Sequence, residues 1–284
     1  MNNDTIGVII INYNGASDTN DCISSISKSI GVNIIIYVVD NNSTQEDRKL
    51  LNRSYNNVKF ILLDENYGFG IGNNIGIDRA ISDGCEYILL INNDTIVEED
   101  AIIKMYEHIK KNNRIGILGC TINYYDDKQK HWYYYGKILK NLGTAKNIGK
   151  AKEYGLNFVS GCCMLTRADI ISKIGMFSED YFLYYEDTDL CMRMINNGFL
   201  VEMDKDALIY HKVGQSTVHM SDIYLYYIIR NRYLFIHKNI NGVSKLVAYI
   251  YSFASMLYKL LRYRRISILC GFFDFIRGKV GKNE

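Results

Sequence analysis

Short, continuously apolar runs separated by polar tips recur along the first 120 residues, at 6–11, 34–39, 58–63, 87–91 and 115–122. Rich in Ile and Val, runs of this length predict strands covered on both faces, as in a parallel sheet. Between them, apolar positions fall at helical spacing. Cys22, Ile23, Ile26 and Ile30 follow Asp18 or Thr19 as an N-cap, and Ile77, Ala80 and Ile81 predict a helix to about Ser82. After the fourth strand, Glu98, Glu99 and Asp100 predict the acidic first turn of a helix, where carboxylates suit the helix dipole. This alternation is the pattern of a doubly wound α/β sheet.

Residues 124–157 are less regular, rich in Tyr and Lys, and read as an excursion over the active face. Strand character resumes at 158–166. A short helix follows, then the acidic string Glu186-Asp187-Thr188-Asp189, whose Leu190, Met194 and Ile195 continue at helical spacing. Runs 200–203 and 207–210 predict two short strands, the second ending in His211. From Ser221 the composition shifts to Tyr, Ile, Leu, Phe, Lys and Arg. The charge-free stretch 246–258 is shorter than the roughly 20 residues that span a bilayer. With Arg262, Arg264, Arg265, Arg277, Lys279 and Lys282 interleaved among Phe272, Phe273 and Phe275, these residues predict amphipathic helices lying at a membrane surface. The alternative is a helical pair packed on the main domain or on a second subunit of a homodimer.

Composition narrows the class. A chain of 284 residues with 48% hydrophobic and 23% charged residues can bury a sizeable core. A net charge of +2 gives no ground for a nucleic-acid partner. Seven cysteines without a CxxC pair fit reduced thiols, hence the cytosol, and the start lacks the basic region of a signal peptide.

The chemistry gathers at polar tips. Asn92-Asn93-Asp94-Thr95 ends the fourth apolar run, and open α/β folds bind ligands at the carboxyl ends of their strands. An oxygen-donor tip suits a hard divalent cation, while a second acidic cluster suits a base. The glycine series Gly68, Gly70, Gly72, Gly76 follows the third strand, whereas a dinucleotide fingerprint follows the first. Glycines there permit close backbone approach, and Asn73 and Asn74 offer amide donors to a diphosphate; a tight loop with a helix cap is the other reading. Trp132 and Tyr133-Tyr134-Tyr135 are candidates to stack on a ligand or to pack the core.

Taken in order, Val8 to Asn14, Val39-Asp40-Asn41-Asn42-Ser43, Asn66-Tyr67-Gly68-Phe69-Gly70 with Asn73 and Asn74, Asn92-Asn93-Asp94, Gly161, and Glu186 to Arg193 resemble family 2 glycosyltransferases, in the rhamnosyltransferase-like branch of bacterial surface polysaccharide synthesis. The resemblance implies a GT-A fold of class α/β, a mostly parallel sheet flanked by helices. It divides into a nucleotide-binding half (1–122), an acceptor-binding half (123–220) and a helical extension (221–284). It also implies an inverting sugar transfer from a UDP- or dTDP-linked donor to a hydroxyl of a glycan or lipid-linked oligosaccharide, on the inner face of the cell membrane. Asn12, Asn14, Asp40, Asn42, Asn66, Gly68, Gly70, Asn73, Asn74, Asn92, Asn93 and Gly161 are then expected around the nucleotide-sugar. Asp94 and His211 would hold Mg²⁺ or Mn²⁺, Asp187 would be the base and Glu186 the fallback. The motif departs from DXD in having Asn at its first position.

Structural alternatives stand beside each role. They are an Asx turn at Asp40, a helix cap at Asp94 or Thr95, a packed His211, and a dipole partner at Glu186 to Asp189. A nucleotidyltransferase or a non-catalytic subunit of a membrane-bound assembly complex are the competing functions.

Overall fold

The computed structural model describes residues 4–134, 136–147, 157–212 and 221–283. The candidate aromatic Tyr135 lies outside them. The expected strands are present as β1 (Thr5–Asn12), β2 (Asn33–Asp40), β3 (Val58–Leu62), β4 (Tyr87–Asn92) and β6 (Ile115–Tyr124). The later expected runs appear as β10 (Cys163–Arg167) and β11 (Leu200–His211); β5 (Thr95–Val97) and β7 (His131–Tyr133) join the same sheet, with β8 (Gly136–Leu139) and β9 (Thr144–Asn147) as a separate hairpin. The sheet order is β3-β2-β1-β4-β10-β6-β11-β5, with β7 on β6.

Directions explain the site. Strands β1, β2, β3 and β4 pair in parallel; β10 is antiparallel to both β4 and β6, and β11 is parallel to β6. Six strands therefore run one way and end at the same edge, where register sets Asn12 beside Asp40, Ile11 beside Asn92, and His211 beside Tyr124 and Thr95. Burial drives the assembly: Val8, Ile9, Ile10, Val38, Val39, Ile88 and Leu90 are fully enclosed. Each such side chain contributes about 1.5–3 kcal/mol by leaving water.

Several expectations shift. Helix α1 (Ala16–Ile26) begins before Asp18, so Thr19 is internal and buried, and Ile30 lies beyond the helix, exposed. A helix with no apolar periodicity, α2 (Gln45–Leu50), is capped by Thr44 accepting from the Asp47 N–H at 3.2 Å and has no buried residue. The glycine series is helix rather than loop, since α3 runs Gly68–Ser82. A β carbon at Gly76 would sit 2.5 Å from Ile9 Cγ2, and one at Gly68, whose φ is +83°, would sit 2.2 Å from the Phe182 carbonyl oxygen. These glycines let a helix lie on the sheet and a loop lie on the helix. The acidic trio 98–100 precedes α4 (Ala101–Lys110) instead of filling its first turn, because β5 intervenes. The two short strands before His211 are one strand, β11, with a register shift between Asp204 and Leu208.

After α5 (Ala168–Ile174) and α6 (Glu186–Asn196) come α7 (Asp222–Asn239), α8 (Gly242–Tyr263) and α9 (Ile266–Ile276). Helix α7 is buried on most sides, and its Leu234, Phe235 and Ile236 join the core of the sheet domain. Arg230 and Arg232 are enclosed, contrary to a solvated amphipathic face. Arg230 stacks 4.9 Å from the Tyr227 ring centroid and Arg232 lies 5.1 Å from that of Tyr251, so aromatic faces replace water around the two cations.

Candidate active site

At the ends of β1 and β2, Asn12 and Asp40 form a closed latch. Both are fully buried. Asn12 Nδ2 donates toward Asp40 Oδ2 (2.9 Å), Asp47 Oδ2 (2.9 Å) and Ser43 Oγ (3.1 Å), sharing two hydrogens among three acceptors, while its Oδ1 accepts from Thr19 Oγ at 2.8 Å. Burial raises the Asp40 pKa, but donors from Ser43, Asn12 and Arg48 outweigh it and hold the carboxyl below its ordinary range. Arg48 Nε lies 2.5 Å from Asp40 Oδ1, and Arg48 Nη2 reaches the Leu63 carbonyl at 2.8 Å. Sequence reasoning missed Arg48 because α2 has no buried face to reveal it. Asn14 and Asn42 are the exposed members, at φ +53° and +64°, left-handed turns that Asn tolerates. Asn14 Oδ1 accepts from the Thr44 N–H, and Asn42 Oδ1 lies 3.4 Å from Arg48 Nη2.

The asparagines around α3 are spent on the fold. Asn66 Oδ1 accepts from Asn41 Nδ2 and from the Gly68 N–H, and buried Asn73 donates to the Phe69 carbonyl. Asn74 exchanges two hydrogen bonds with the Phe177 backbone, at 2.9 and 3.0 Å. One N–H of each of the Asn73 and Asn74 amides is thus used within the fold. Gly70 packs under Phe177, its β carbon position 3.2 Å from Phe177 Cβ.

Beyond β4, Asn93 Nδ2 donates to Thr19 Oγ at 3.0 Å and tethers the tip to α1. Asn92 keeps a half-buried side chain without a hydrogen bond among the described residues. Asp94 Oδ1 lies 3.0 Å from His211 Nε2. Helix capping is ruled out as the role of Asp94, since α4 starts only at Ala101. His211 is buried, its Nδ1 has no partner among the described residues, and Trp132 meets it edge-on with centroids 4.3 Å apart. Trp132 therefore shapes this pocket, whereas Tyr133 is core, its hydroxyl bonded to the Phe158 carbonyl. Adjacent donors on an octahedral cation with bonds of about 2.1 Å stand about 3 Å apart, so the carboxylate and imidazole fit one edge of such a shell. Among the described residues no third His, Cys, Asp or Glu joins them. That leaves the remaining positions to water and ligand oxygens.

The acidic cluster opens α6. Partly exposed Asp187 accepts from the Gly161 N–H at Oδ2 (3.1 Å) and from the Thr188 N–H (2.6 Å) and hydroxyl (3.1 Å) at Oδ1. Gly161, expected beside the nucleotide-sugar, orients this carboxylate through its N–H. Burial raises the Asp187 pKa, and these donors offset only part of the rise. Glu186 is buried with Oε2 unpartnered; burial first, then the charge of Asp187, hold it well above the carboxylate range. Asp189 is structural, bonded by Arg193 Nε at 2.8 Å and Asn239 Nδ2 at 2.8 Å. Just before the cluster, Tyr184 and Tyr185 take φ of +69° and +77°, costing about 1–2 kcal/mol each.

Because burial and the neighbouring Asp187 charge push the Glu186 pKa up and so favour its neutral form, Glu186→Gln is expected to keep kcat within a few-fold. A raised folded-state pKa means that the glutamate's contribution is intact below the ordinary carboxyl range and is lost as pH rises toward the folded value. The Tm advantage of Glu186→Gln over the parent should therefore grow from pH 4 upward. A scan showing no pH-dependent gap would refute the raised pKa of Glu186.

The family model for glycosyl transferase family 2 matches residues 7–175. The chain belongs to this family. Among its relatives, a dTDP-rhamnosyl transferase (RfbF) of Shigella flexneri is 27% identical over 84% of this chain and 81% of its own length. A low-salt glycan biosynthesis hexosyltransferase (Agl10) of Haloferax volcanii is 26% identical over 99% and 94%. A solved mannosyltransferase from Pyrobaculum calidifontis, in complex with GDP-Man and Mn²⁺, superposes with a TM-score of 0.63 at 12% identity, covering 94% of this chain and 73% of that one. The GT-A expectation for the fold therefore holds, and this family 2 member is a glycosyltransferase whose relatives act in rhamnose and glycan biosynthesis. The family 2 match takes in Asp40, Asp94 and Gly161, while Glu186, Asp187 and His211 lie beyond it.

Proposed function

We propose that this glycosyltransferase inverts the anomeric centre of a nucleoside-diphosphate sugar, UDP- or dTDP-linked, with a divalent cation, and transfers the sugar to a hydroxyl of a glycan or lipid-linked glycan. One observation carries the reading. The Asn92 N–H donates to the Cys162 carbonyl at 3.0 Å and the Gly161 N–H to Asp187, so the Asp94–His211 pair and Asp187 flank the same turn of chain. In this reading 1–122 holds the nucleotide and 123–220 the acceptor, with Asn14, Asn42 and Arg48 as the reachable polar groups at the nucleotide end.

Asp187 takes the proton of the acceptor hydroxyl as that oxygen bonds the anomeric carbon and the bond to the diphosphate breaks. Attack from the side opposite the leaving group gives inversion. Asp94 and His211 would hold Mg²⁺ or Mn²⁺, which when bound neutralises charge growing on the departing diphosphate. The raised Glu186 pKa disfavours a second negative charge beside the base. Nucleotide-sugars bearing rhamnose, galactose, glucose and N-acetylated sugars, offered with Mg²⁺ or Mn²⁺ and an acceptor lipid, should include one that releases nucleoside diphosphate. Binding of nucleotide without transfer or hydrolysis across the panel would favour a non-catalytic subunit.

No described helix is long and apolar enough to cross a membrane. We place the enzyme peripherally on the cytoplasmic face, seated through α8 and α9. Val243, Leu246, Ile250, Phe253, Leu257 and Leu261 form one exposed stripe of α8, continued by Ile266, Phe273 and Ile276. Between 242 and 283 the only carboxylate is buried Asp274, against eight Lys and Arg, so the apolar face carries a cationic rim. Near an anionic leaflet each such cation contributes about 1 kcal/mol. The protein should float with vesicles containing anionic phospholipid and detach in high salt, and Leu246→Glu with Ile250→Glu should abolish flotation. Self-association without vesicle binding would assign the face to a homodimer.

A further inference from the structure

Four residues on one stripe of α7, at spacings of three and four, grip the turn that delivers the acidic cluster. Tyr227 stacks on Phe182 at 5.3 Å, Tyr224 meets Tyr184 edge-on at 5.3 Å, and Phe235 packs on Tyr185 at 5.8 Å between centroids. Between them Asn231, fully buried, donates from Nδ2 to the carbonyls of Leu183 (2.8 Å) and Tyr184 (2.9 Å). Its Oδ1 accepts from Arg230 Nε at 3.0 Å, which fixes which end of the amide faces the turn. The two carbonyls belong to the segment where φ turns positive at Tyr184 and Tyr185, immediately before Glu186 and Asp187. Left-handed backbone at two bulky residues persists only where the surroundings over-determine it, and Asn231 is the polar part of that constraint.

We propose that Asn231 is a positioning residue for the base: by holding the Leu183 and Tyr184 carbonyls it sets the left-handed turn and so aims the Asp187 carboxylate. The inference rests on Asp187 being the base. Helix α7 thereby becomes part of the catalytic apparatus, although it lies outside the segment that the family model matches and touches neither the Asp94–His211 pair nor the Asn12–Asp40 latch in any hydrogen bond described. Its role is mechanical. A displacement of the order of 1 Å at a reacting group costs roughly 10²-fold in rate.

A double-mutant cycle in the full-length enzyme tests this, with kcat for transfer read beside the affinity for nucleoside diphosphate in Mn²⁺. Asn231→Leu is expected to lower kcat about 10²-fold with nucleotide affinity unchanged, and to add nothing once Asp187→Asn is present, because its effect runs through that carboxylate. Asn231→Asp keeps the volume but offers no N–H to the two carbonyls, and serves if the leucine variant does not fold. Ile229→Ala, on the side of α7 facing α8 and α9, provides a stability control that loosens the helix without touching the turn. Multiplicative losses on both backgrounds, or a fall in kcat matched by Ile229→Ala at equal loss of Tm, would overturn the proposal. Inactive Asp187→Asn together with fully active Asn231→Leu would sink the positioning role alone, whereas active Asp187→Asn would sink the base assignment beneath it.

Discussion

Asp187→Asn is expected to lower kcat by about 10³-fold while leaving donor KM nearly unchanged, since a positioned base contributes roughly 10²–10⁴. The amide can accept through one oxygen where the carboxylate accepts through two, so either the Gly161 or the Thr188 contact weakens as well. Loss of stability is not expected to explain the result, because the amide is isosteric with the carboxylate and removes a charge that desolvation disfavours. Steady-state kinetics on protein of verified Tm decides it, and near parental kcat would exclude Asp187 as the base. The raised pKa of Asp187 adds a signature. The base works deprotonated, so activity should fall as pH drops through a value above the ordinary aspartate range.

Chelation is expected to extinguish transfer, with Mg²⁺ or Mn²⁺ restoring it. Asp94→Asn and His211→Ala should each cost roughly 10²–10³-fold in kcat/KM, the equivalent of several kcal/mol of charge stabilisation. Asp94 and His211 lie 3.0 Å apart, and Trp132 packs edge-on against the imidazole. His211→Ala should therefore also free Asp94 to solvent and weaken cation affinity, measurable by Mn²⁺ titration. Full activity in the presence of chelator, or unaltered cation affinity in both variants, would remove the pair from its assigned role. Asn92→Ala offers a milder comparison, because the Asn92 backbone N–H, not its amide, makes the bond to Cys162.

The parts of this architecture legible in the chain were those written in local hydrophobicity. Continuous Ile and Val runs marked β1, β2 and β4 because strands enclosed on both faces leave no polar alternation. Polar residues at their ends marked the crevice because parallel strands must finish together. The α3 glycines were read as a loop since each costs a helix about 1 kcal/mol relative to Ala, yet close packing on Ile9, Val39 and Phe182 reverses that preference. Helix α2 and its Arg48 escaped notice for the opposite reason, having no buried face.

By itself, the sequence determined that β1, β2, β3, β4 and β6 form, that polar tips carry Asn12, Asp40, Asp94 and His211, and that an acidic string opens a later helix, because these follow from hydrophobic pattern and ordered motifs. Only the tertiary structure decided how each polar group is spent. It closed Asn12 on Asp40, turned Asn73 and Asn74 to backbone carbonyls, gave the Gly161 N–H to Asp187, pushed the Glu186 pKa up, and enclosed Arg230 and Asn231 behind the base. The physical reason is that a hydrogen bond's partner and a carboxyl's pKa depend on what long-range packing brings within about 3 Å, which no local pattern of residues encodes.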